Sequence, residues 1–228
     1  MPSALVTGGS SGIGFAIARM LRGEGYGLTL AARKLERLET AASELEATAI
    51  AADVQDEDDC ARLVREHLEA HSGLDVLVNS AGVGIAGRIG ELQTKHFDLQ
   101  QSVNLRGAFL VTRAALPALR ETKGYVVNLA SIAGTMPTPG LAAYGAAKAA
   151  LVSLTRSLDR EEAASGVRAT ALCPGFVDTP MAEWTGIASE EMIQPEDCAE
   201  LVRSLLRLSP AARVPVIVVE RAGGDAGD

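Results

Sequence analysis

Aromatic residues are scarce in this chain of 228 residues: one Trp, three Tyr and four Phe amount to 4%. Cysteine is scarce as well. Cys60, Cys173 and Cys198 lie far apart and form no CxxC pair. That argues against a disulfide frame or a zinc site and for reduced thiols in a cytoplasmic protein. His67, His71 and His96 add no metal-ligand pattern, so no metal is expected. His67 and His71, four apart, are expected on one solvated helix face. No run of 18 or more apolar residues exists, so nothing is expected to span a membrane. Met1-Pro2-Ser3 enters an apolar run without a charged n-region or long h-region, and no signal peptide is indicated. Basic charge is also short. Lys and Arg total 21 against 29 Asp and Glu, a net charge of -8, which argues against a nucleic-acid partner for want of a field to displace counterions.

What the chain has in abundance is small and branched apolar residues, within a hydrophobic share of 47%. These suit parallel strands buried on both faces. Short apolar runs at 4–6, 27–31, 48–52, 75–78, 125–129, 167–172 and 214–219 read as strands. Amphipathic stretches at 14–22, 35–46, 56–71, 95–121, 142–164 and 195–208 read as helices. Pro117 is expected to kink the fourth helix or end it early. Strict alternation implies βαβ units with right-handed crossovers, hence an α/β fold with a parallel sheet. No linker or composition shift divides the chain, so one domain over 1–228 is expected, with 222–228 as a frayed tail.

Four local patterns carry chemistry. The first strand runs into Thr7-Gly8-Gly9-Ser10-Ser11-Gly12-Ile13-Gly14. Glycines at 8, 12 and 14 suit a tight turn and close backbone approach to a pyrophosphate, which the helix N-terminus would hold. No Lys-Ser or Lys-Thr follows the last glycine, which disfavours a Walker-type loop. The second strand ends in Ala32-Arg33-Lys34 rather than in an acid. An acid would bind the ribose hydroxyls of NAD; Arg33 can instead fork onto the 2′-phosphate of NADP. Tyr144 and Lys148 are spaced i, i+4 and share a helix face. A nearby ammonium is expected to pull the phenol pKa down from its usual value near 10. Ser131 follows the fifth strand thirteen residues earlier, where a hydroxyl can hold a substrate oxygen.

Thr7 with Gly-x-x-x-Gly-x-Gly, Asp53-Val54, Asn79-Ser80-Ala81-Gly82, Ser131, Tyr144-x-x-x-Lys148 and Pro174-Gly175-Phe176-Val177-Asp178-Thr179 together resemble the short-chain dehydrogenase/reductase family along most of the chain. Ser80 stands where the family pattern has a second Asn. The resemblance implies a Rossmann-type doubly wound sheet of about seven strands, in the order 3-2-1-4-5-6-7. It implies hydride transfer between NADP(H), favoured over NAD(H), and a carbonyl or alcohol carbon of a small molecule. Asn104, Ser131, Tyr144 and Lys148 would be catalytic, with Asn104 holding a water linked to Lys148. Thr7, Gly8, Ser10, Ser11, Gly12, Ile13, Gly14 and Arg33 would bind cofactor. Asp53 and Val54 would meet its adenine end, while Asn79, Ala81 and Gly82 would brace its floor. Pro174, Gly175, Val177 and Thr179, with Tyr144 and Lys148, would hold the nicotinamide side. Ile85, Met136, Leu141, Trp184 and Ile187 would line the substrate pocket around Ser131 and Tyr144, although Trp184 suits a core position equally well. A homodimer or homotetramer through the helices at 95–121 and 142–164 is also implied. An NAD-dependent alcohol dehydrogenase and a non-catalytic NADP(H)-binding sensor stand as alternatives. The second would not need Ser131, Tyr144 and Lys148, all of which are present.

Overall fold

Alternating apolar faces dictate the layering. In β1 (Ser3–Thr7), Ala4 and Val6 face one layer of helices and Leu5 the other, and every residue of the strand is buried. The computed structural model describes residues 1–224. Around β1 lie β2 (Gly27–Ala32), β3 (Thr48–Ala51), β4 (Val76–Asn79), β5 (Tyr125–Leu129), β6 (Arg168–Pro174) and β7 (Val216–Val219). All pair in parallel, in the order β3-β2-β1-β4-β5-β6-β7. This is the Rossmann-type sheet, with the strand order reversing between β1 and β4.

One face is covered by α1 (Gly12–Gly23), α2 (Leu35–Glu44) and α7 (Pro195–Arg207) through Ile17, Leu21, Leu38, Val202 and Leu205. The other is covered by α3 (Glu57–His71), α4 (Thr94–Gln101), α5 (Ala108–Thr122) and α6 (Ala142–Glu161), with Leu63, Val111, Leu119 and Leu158 packed on Leu5, Leu77 and Val126. Burying one such leucine contributes about 1.5–3 kcal/mol. A buried chain of side chains bolts the middle of the sheet to its helices. Asn79 Nδ2 donates to Thr112 Oγ1 (2.9 Å) and Asn128 Oδ1 (2.8 Å), and Asn128 Nδ2 donates to Thr155 Oγ1 (2.8 Å).

Two expectations about the helices and one about a histidine need correction, while the tail expectation stays open. The long helix expected over 95–121 is two helices, α4 and α5, joined by a π-helical turn at Ser102–Gly107. Pro117 does not end α5, which continues to Thr122 because Ala115, Ala118 and Leu119 are held in the core on either side of it. Of the tail expected at 222–228, residues 222–224 form a turn and the rest lies outside the described residues.

The third correction concerns His67, which is fully buried rather than solvated. Its Nδ1 lies 2.8 Å from Thr29 Oγ1, and its Nε2 lies 3.1 Å from the Gly73 carbonyl and 3.3 Å from Ser3 Oγ. It thus ties the end of α3 to β1 and β2. Burial first, and the neighbouring His71 ring second, push its pKa down from 6.5 to about 4. Folding therefore keeps His67 neutral in a range where the unfolded chain would protonate it. Its stabilising share is complete above pH 6.5 and is lost as pH falls toward 4, at about 1.4 kcal/mol per unit or about 3 kcal/mol in all. His67→Gln, polar but not titratable, should flatten the loss of thermal stability across that window. An unchanged slope would show that other groups carry the acid sensitivity.

Candidate active site

The C-terminal ends of β1, β4, β5 and β6 open into one cavity of about 660 Å³, at the switch point where open α/β sheets place ligands. Its floor is the turn after β1. Gly8 has φ +66°, and a Cβ there would stand 2.7 Å from the Ala81 nitrogen, so only glycine fits. A Cβ on Gly14 would stand 2.5 Å from the Gly8 carbonyl oxygen. Thr7 braces the turn: its Oγ1 accepts from the Ser80 (3.2 Å) and Ala81 (3.3 Å) amides. The helix that follows starts at Gly12 with Ser11 extended, and no side chain caps its first N–H groups. Those donors, at the positive end of α1, belong to residues lining the cavity. A pyrophosphate suits this uncapped cradle. Thr179 closes over it, with its Cγ2 3.0 Å from where a Cβ on Gly12 would lie.

Ser131, Tyr144 and Lys148 converge on the opposite wall of the same cavity. Ser131 follows β5, and its Oγ accepts from the Ala133 amide (3.2 Å) at the start of a 3-10 turn. A hydroxyl has one proton to donate, and that of Ser131 is available to the Tyr144 phenol, whose ionised form it favours. Gly134 lets the segment pack against α6, since a Cβ there would stand 2.6 Å from the Lys148 carbonyl carbon.

The electrostatics differ from the sequence expectation. The phenol of Tyr144 is pushed up to about 12 rather than down, because burial outweighs the lowering effect of Ser131 and the Cys173 thiol adds slightly to the rise. Lys148 is pulled down to about 8, again by burial, with Cys173 opposing weakly. Its ammonium, 5.6 Å from the Tyr144 ring centroid, donates to the Leu129 carbonyl at 2.6 Å. The lysine fails to lower the phenol for a simple reason: by the pH at which the phenol would ionise, the amine has already lost its charge. The Cys173 thiol, buried behind both and raised to about 11, belongs to this coupled group.

Asn104 lies inside the π-helical turn and is buried. Its side chain grips one residue twice: Oδ1 accepts from the Val83 amide (2.9 Å) and Nδ2 donates to the Val83 carbonyl (2.8 Å). The amide is thus spent on fixing the loop after β4, which carries the cavity wall at Gly82–Ile85. Gly107 lets the turn come close, since a Cβ there would stand 2.8 Å from Val54 Cγ2.

Of the other residues singled out from the sequence, Ser10, Ile13, Ala81, Gly82, Ile85, Leu141, Pro174, Gly175, Val177 and Trp184 line the cavity. Trp184 is 62% exposed, at the mouth and edge-on to Phe176, so it is no core residue. Met136, also exposed, and Ile187 lie outside the lining. Asn79 is consumed by the buried network beneath the floor. Asp53 accepts from the Gln55 amide (3.0 Å), and Val54 is buried against the π-helical turn, both apart from the lining. Arg33 stands exposed at the end of β2, with no hydrogen bond or ion pair among the described residues. Sequence reading missed Leu99 of α4, Phe176 and Ser80 as lining residues. Ser80 is the one with a signal, as the departure within Asn79-Ser80-Ala81-Gly82. No group of His, Cys, Asp and Glu suited to a metal occurs among the described residues, and no helix there is long and apolar enough to cross a membrane.

A doubly wound sheet with an uncapped glycine turn facing a Ser-Tyr-Lys cluster defines a dinucleotide-binding oxidoreductase. The chain belongs to the short chain dehydrogenase family, whose profile matches residues 2–188. It is 37% identical over 202 residues to an uncharacterized oxidoreductase of Staphylococcus epidermidis, covering 87% of this chain and 88% of that one. A Staphylococcus aureus counterpart is 35% identical over 203 residues, with the same coverage. Among solved structures, an alcohol dehydrogenase from the archaeon Thermococcus sibiricus complexed with 5-hydroxy-NADP superposes with a TM-score of 0.91 at 33% identity, covering 97% of both chains. Actinorhodin polyketide ketoreductase with NADPH gives 0.88 at 33%, covering 96% of this chain and 95% of that one.

Proposed function

We propose that the protein is an NADP(H)-dependent reductase of ketones or aldehydes, with Tyr144 as the proton donor. The observation that carries this reading is the placement of two hydroxyls and a buried amine across one cavity from an uncapped helix N-terminus. The turn from Gly8 to Gly14 would hold the pyrophosphate, Asp53 and Val54 the adenine end, and Val177 and Thr179 the nicotinamide carboxamide. NADPH, when bound, supplies the hydride. Ser131 and Tyr144 hold the substrate oxygen as it gains charge, and Tyr144 gives it a proton. Lys148 holds the ribose side and restores the phenol proton by way of water, while Asn104, expected to hold that water, has its side chain committed to Val83 and positions the loop instead. A phenol at about 12 is a proton donor throughout the neutral range, which supports reduction over alcohol oxidation. Two solved neighbours carry NADP-type ligands, in keeping with this choice of cofactor.

Arg33 gives the test of cofactor choice. Its guanidinium is exposed and has no partner among the described residues, so a 2′-phosphate would be its strongest partner. Arg33→Ala is expected to raise KM for NADPH about tenfold, near the low end of a charge-assisted hydrogen bond, and to leave KM for NADH nearly unchanged. Equal effects on both cofactors would remove the NADP assignment. The reading also includes a cytoplasmic location, supported by three free buried thiols, and a homodimer or homotetramer through α5 and α6. Phe109 is 43% exposed on α5, and α6 exposes Ala142, Ala146 and Ala149. Light scattering giving the single-chain mass of 23.7 kDa would contradict the oligomer.

A further inference from the structure

We propose that the substrate half of this cavity admits bulky, uncharged apolar carbonyl compounds and turns away carboxylates, and that Gly84 sets the room available beside Tyr144. This rests on the reductase reading given above and adds to it the class of substrate.

The first observation is charge. Among the described residues Lys148 is the one charged residue lining the cavity, and its ammonium is turned onto the Leu129 carbonyl. No arginine or second lysine waits to neutralise an acid, and an unpaired carboxylate in an apolar wall is costly. The segment 181–194, which brings Met181 and Trp184 to the cavity, adds to this. It holds Glu183, Glu190 and Glu191 and no base. Glu191 has Arg221 at 3.7 Å, which leaves Glu183 and Glu190 to repel an incoming anion. Arg88 and Glu91, one charge of each sign in the loop that follows Ile85, lie outside the lining.

The second observation is shape. Ile85, Leu99, Leu141 and Met181 wall the substrate side, and Thr138 adds one hydroxyl. Met181 and Trp184 are 46% and 62% exposed and form an apolar rim at the mouth, suited to an apolar ligand. Gly84 lies between that rim and the phenol. A Cβ on it would stand 3.7 Å from Met181 Sδ and 3.9 Å from Tyr144 Cδ2. Both are ordinary contacts, and Gly84 does not have positive φ, so neither strain nor a clash demands glycine here. What its missing side chain provides is space next to the reacting group.

The test uses the full chain with NADPH and three probes: ethyl benzoylformate, its free acid benzoylformate, and the small ester ethyl pyruvate. Wild type should turn over ethyl benzoylformate with kcat/KM at least tenfold above benzoylformate. Gly84→Val should lower kcat/KM for ethyl benzoylformate at least tenfold more than for ethyl pyruvate. A second readout needs no turnover. Trp184 is the sole tryptophan of the chain, so its emission reports arrival at the mouth, and the aryl ester and acid share a chromophore that cancels between them. The ester should change the emission of both wild type and Tyr144→Phe, and the acid should not. If carbonyls are reduced but the acid matches the ester, or Gly84→Val leaves the ratio of the two esters unmoved, the substrate inference is overturned and the reductase reading stands. If nothing is reduced while the emission still separates ester from acid, the reductase reading falls and the selectivity of the cavity is upheld. Silence in both readouts overturns both.

Discussion

Tyr144→Phe should lower carbonyl-dependent oxidation of NADPH by about a thousandfold, within the 10²–10⁴ that a positioned proton donor contributes. The substitution removes one oxygen. It leaves the ring that packs in α6 and every residue of the uncapped turn after β1. Affinity for NADP(H) should therefore stay within a few-fold of wild type, so kcat collapses while cofactor binding does not. The pH profile adds a second check. With the free phenol raised to about 12 and Lys148 lowered to about 8, the donor form dominates at neutral pH. Reductive kcat/KM in the wild type should be level from about pH 6 to 8 and decline above 8 as Lys148 loses its proton. A profile rising with pH through that range would require a group that works deprotonated, which would contradict Tyr144 as donor. Residual activity above one-tenth of wild type would show that water or Ser131 can give the proton unaided.

The fold was legible in the sequence because its signal is redundant. Ala4 to Val6, Val76 to Val78 and Tyr125 to Leu129 are too short and too apolar to be surface helices, and the alternation with amphipathic stretches leaves a parallel sheet as the natural arrangement. The candidate site was legible for a different reason. Gly8 and Gly14 are forced by backbone contacts of 2.7 and 2.5 Å, and such constraints leave fixed residue types at fixed spacings. What escaped was whatever depends on local environment rather than residue type. The π-helical turn at Ser102–Gly107 has no proline or break in apolar pattern to announce it. His67 looks like any polar helix residue until β1 and β2 supply Ser3 and Thr29 as partners. The direction of the Tyr144 shift escaped as well. Spacing brings an amine toward the phenol, but burial of both groups determines how each titrates. The substrate wall was the least legible, since Leu99 reaches it from the mostly polar α4 and Phe176 from the turn after β6, and neither segment carries a pattern that marks it.

Lys148 is where stability and the proposed function oppose each other. The ammonium is buried with the Leu129 carbonyl as its hydrogen-bond partner, and no carboxylate of the described residues lines the cavity around it. Its pKa falls from 10.5 to about 8. At neutral pH both the folded and the unfolded chain carry the charge, so folding must take a charged amine out of water. Two and a half units at about 1.4 kcal/mol each put this cost at about 3 kcal/mol. Lys148→Met keeps the length of the side chain and removes the charge. After subtracting about 1 kcal/mol for the lost hydrogen bond, a net gain of about 2 kcal/mol remains. For a chain of this size that raises Tm by roughly 4–8 °C in the cofactor-free protein at pH 7. The sign can be checked against pH. Between about 8 and 10.5 the folded wild type holds Lys148 neutral while the unfolded chain still binds the proton, so wild-type stability rises with pH across that window. The advantage of Lys148→Met should therefore shrink steadily from pH 8, vanish near pH 9.5 and turn into a deficit of about 1 kcal/mol by 10.5, where only the lost hydrogen bond remains. Carbonyl reduction should be lost at every pH. A variant less stable than wild type at pH 7, or an advantage that does not change with pH, would mean that the amine is not held charged against its surroundings. A chain selected for stability alone would replace this lysine. Its retention beside Ser131 and Tyr144 fits a site in which one charge must be held where water cannot screen it.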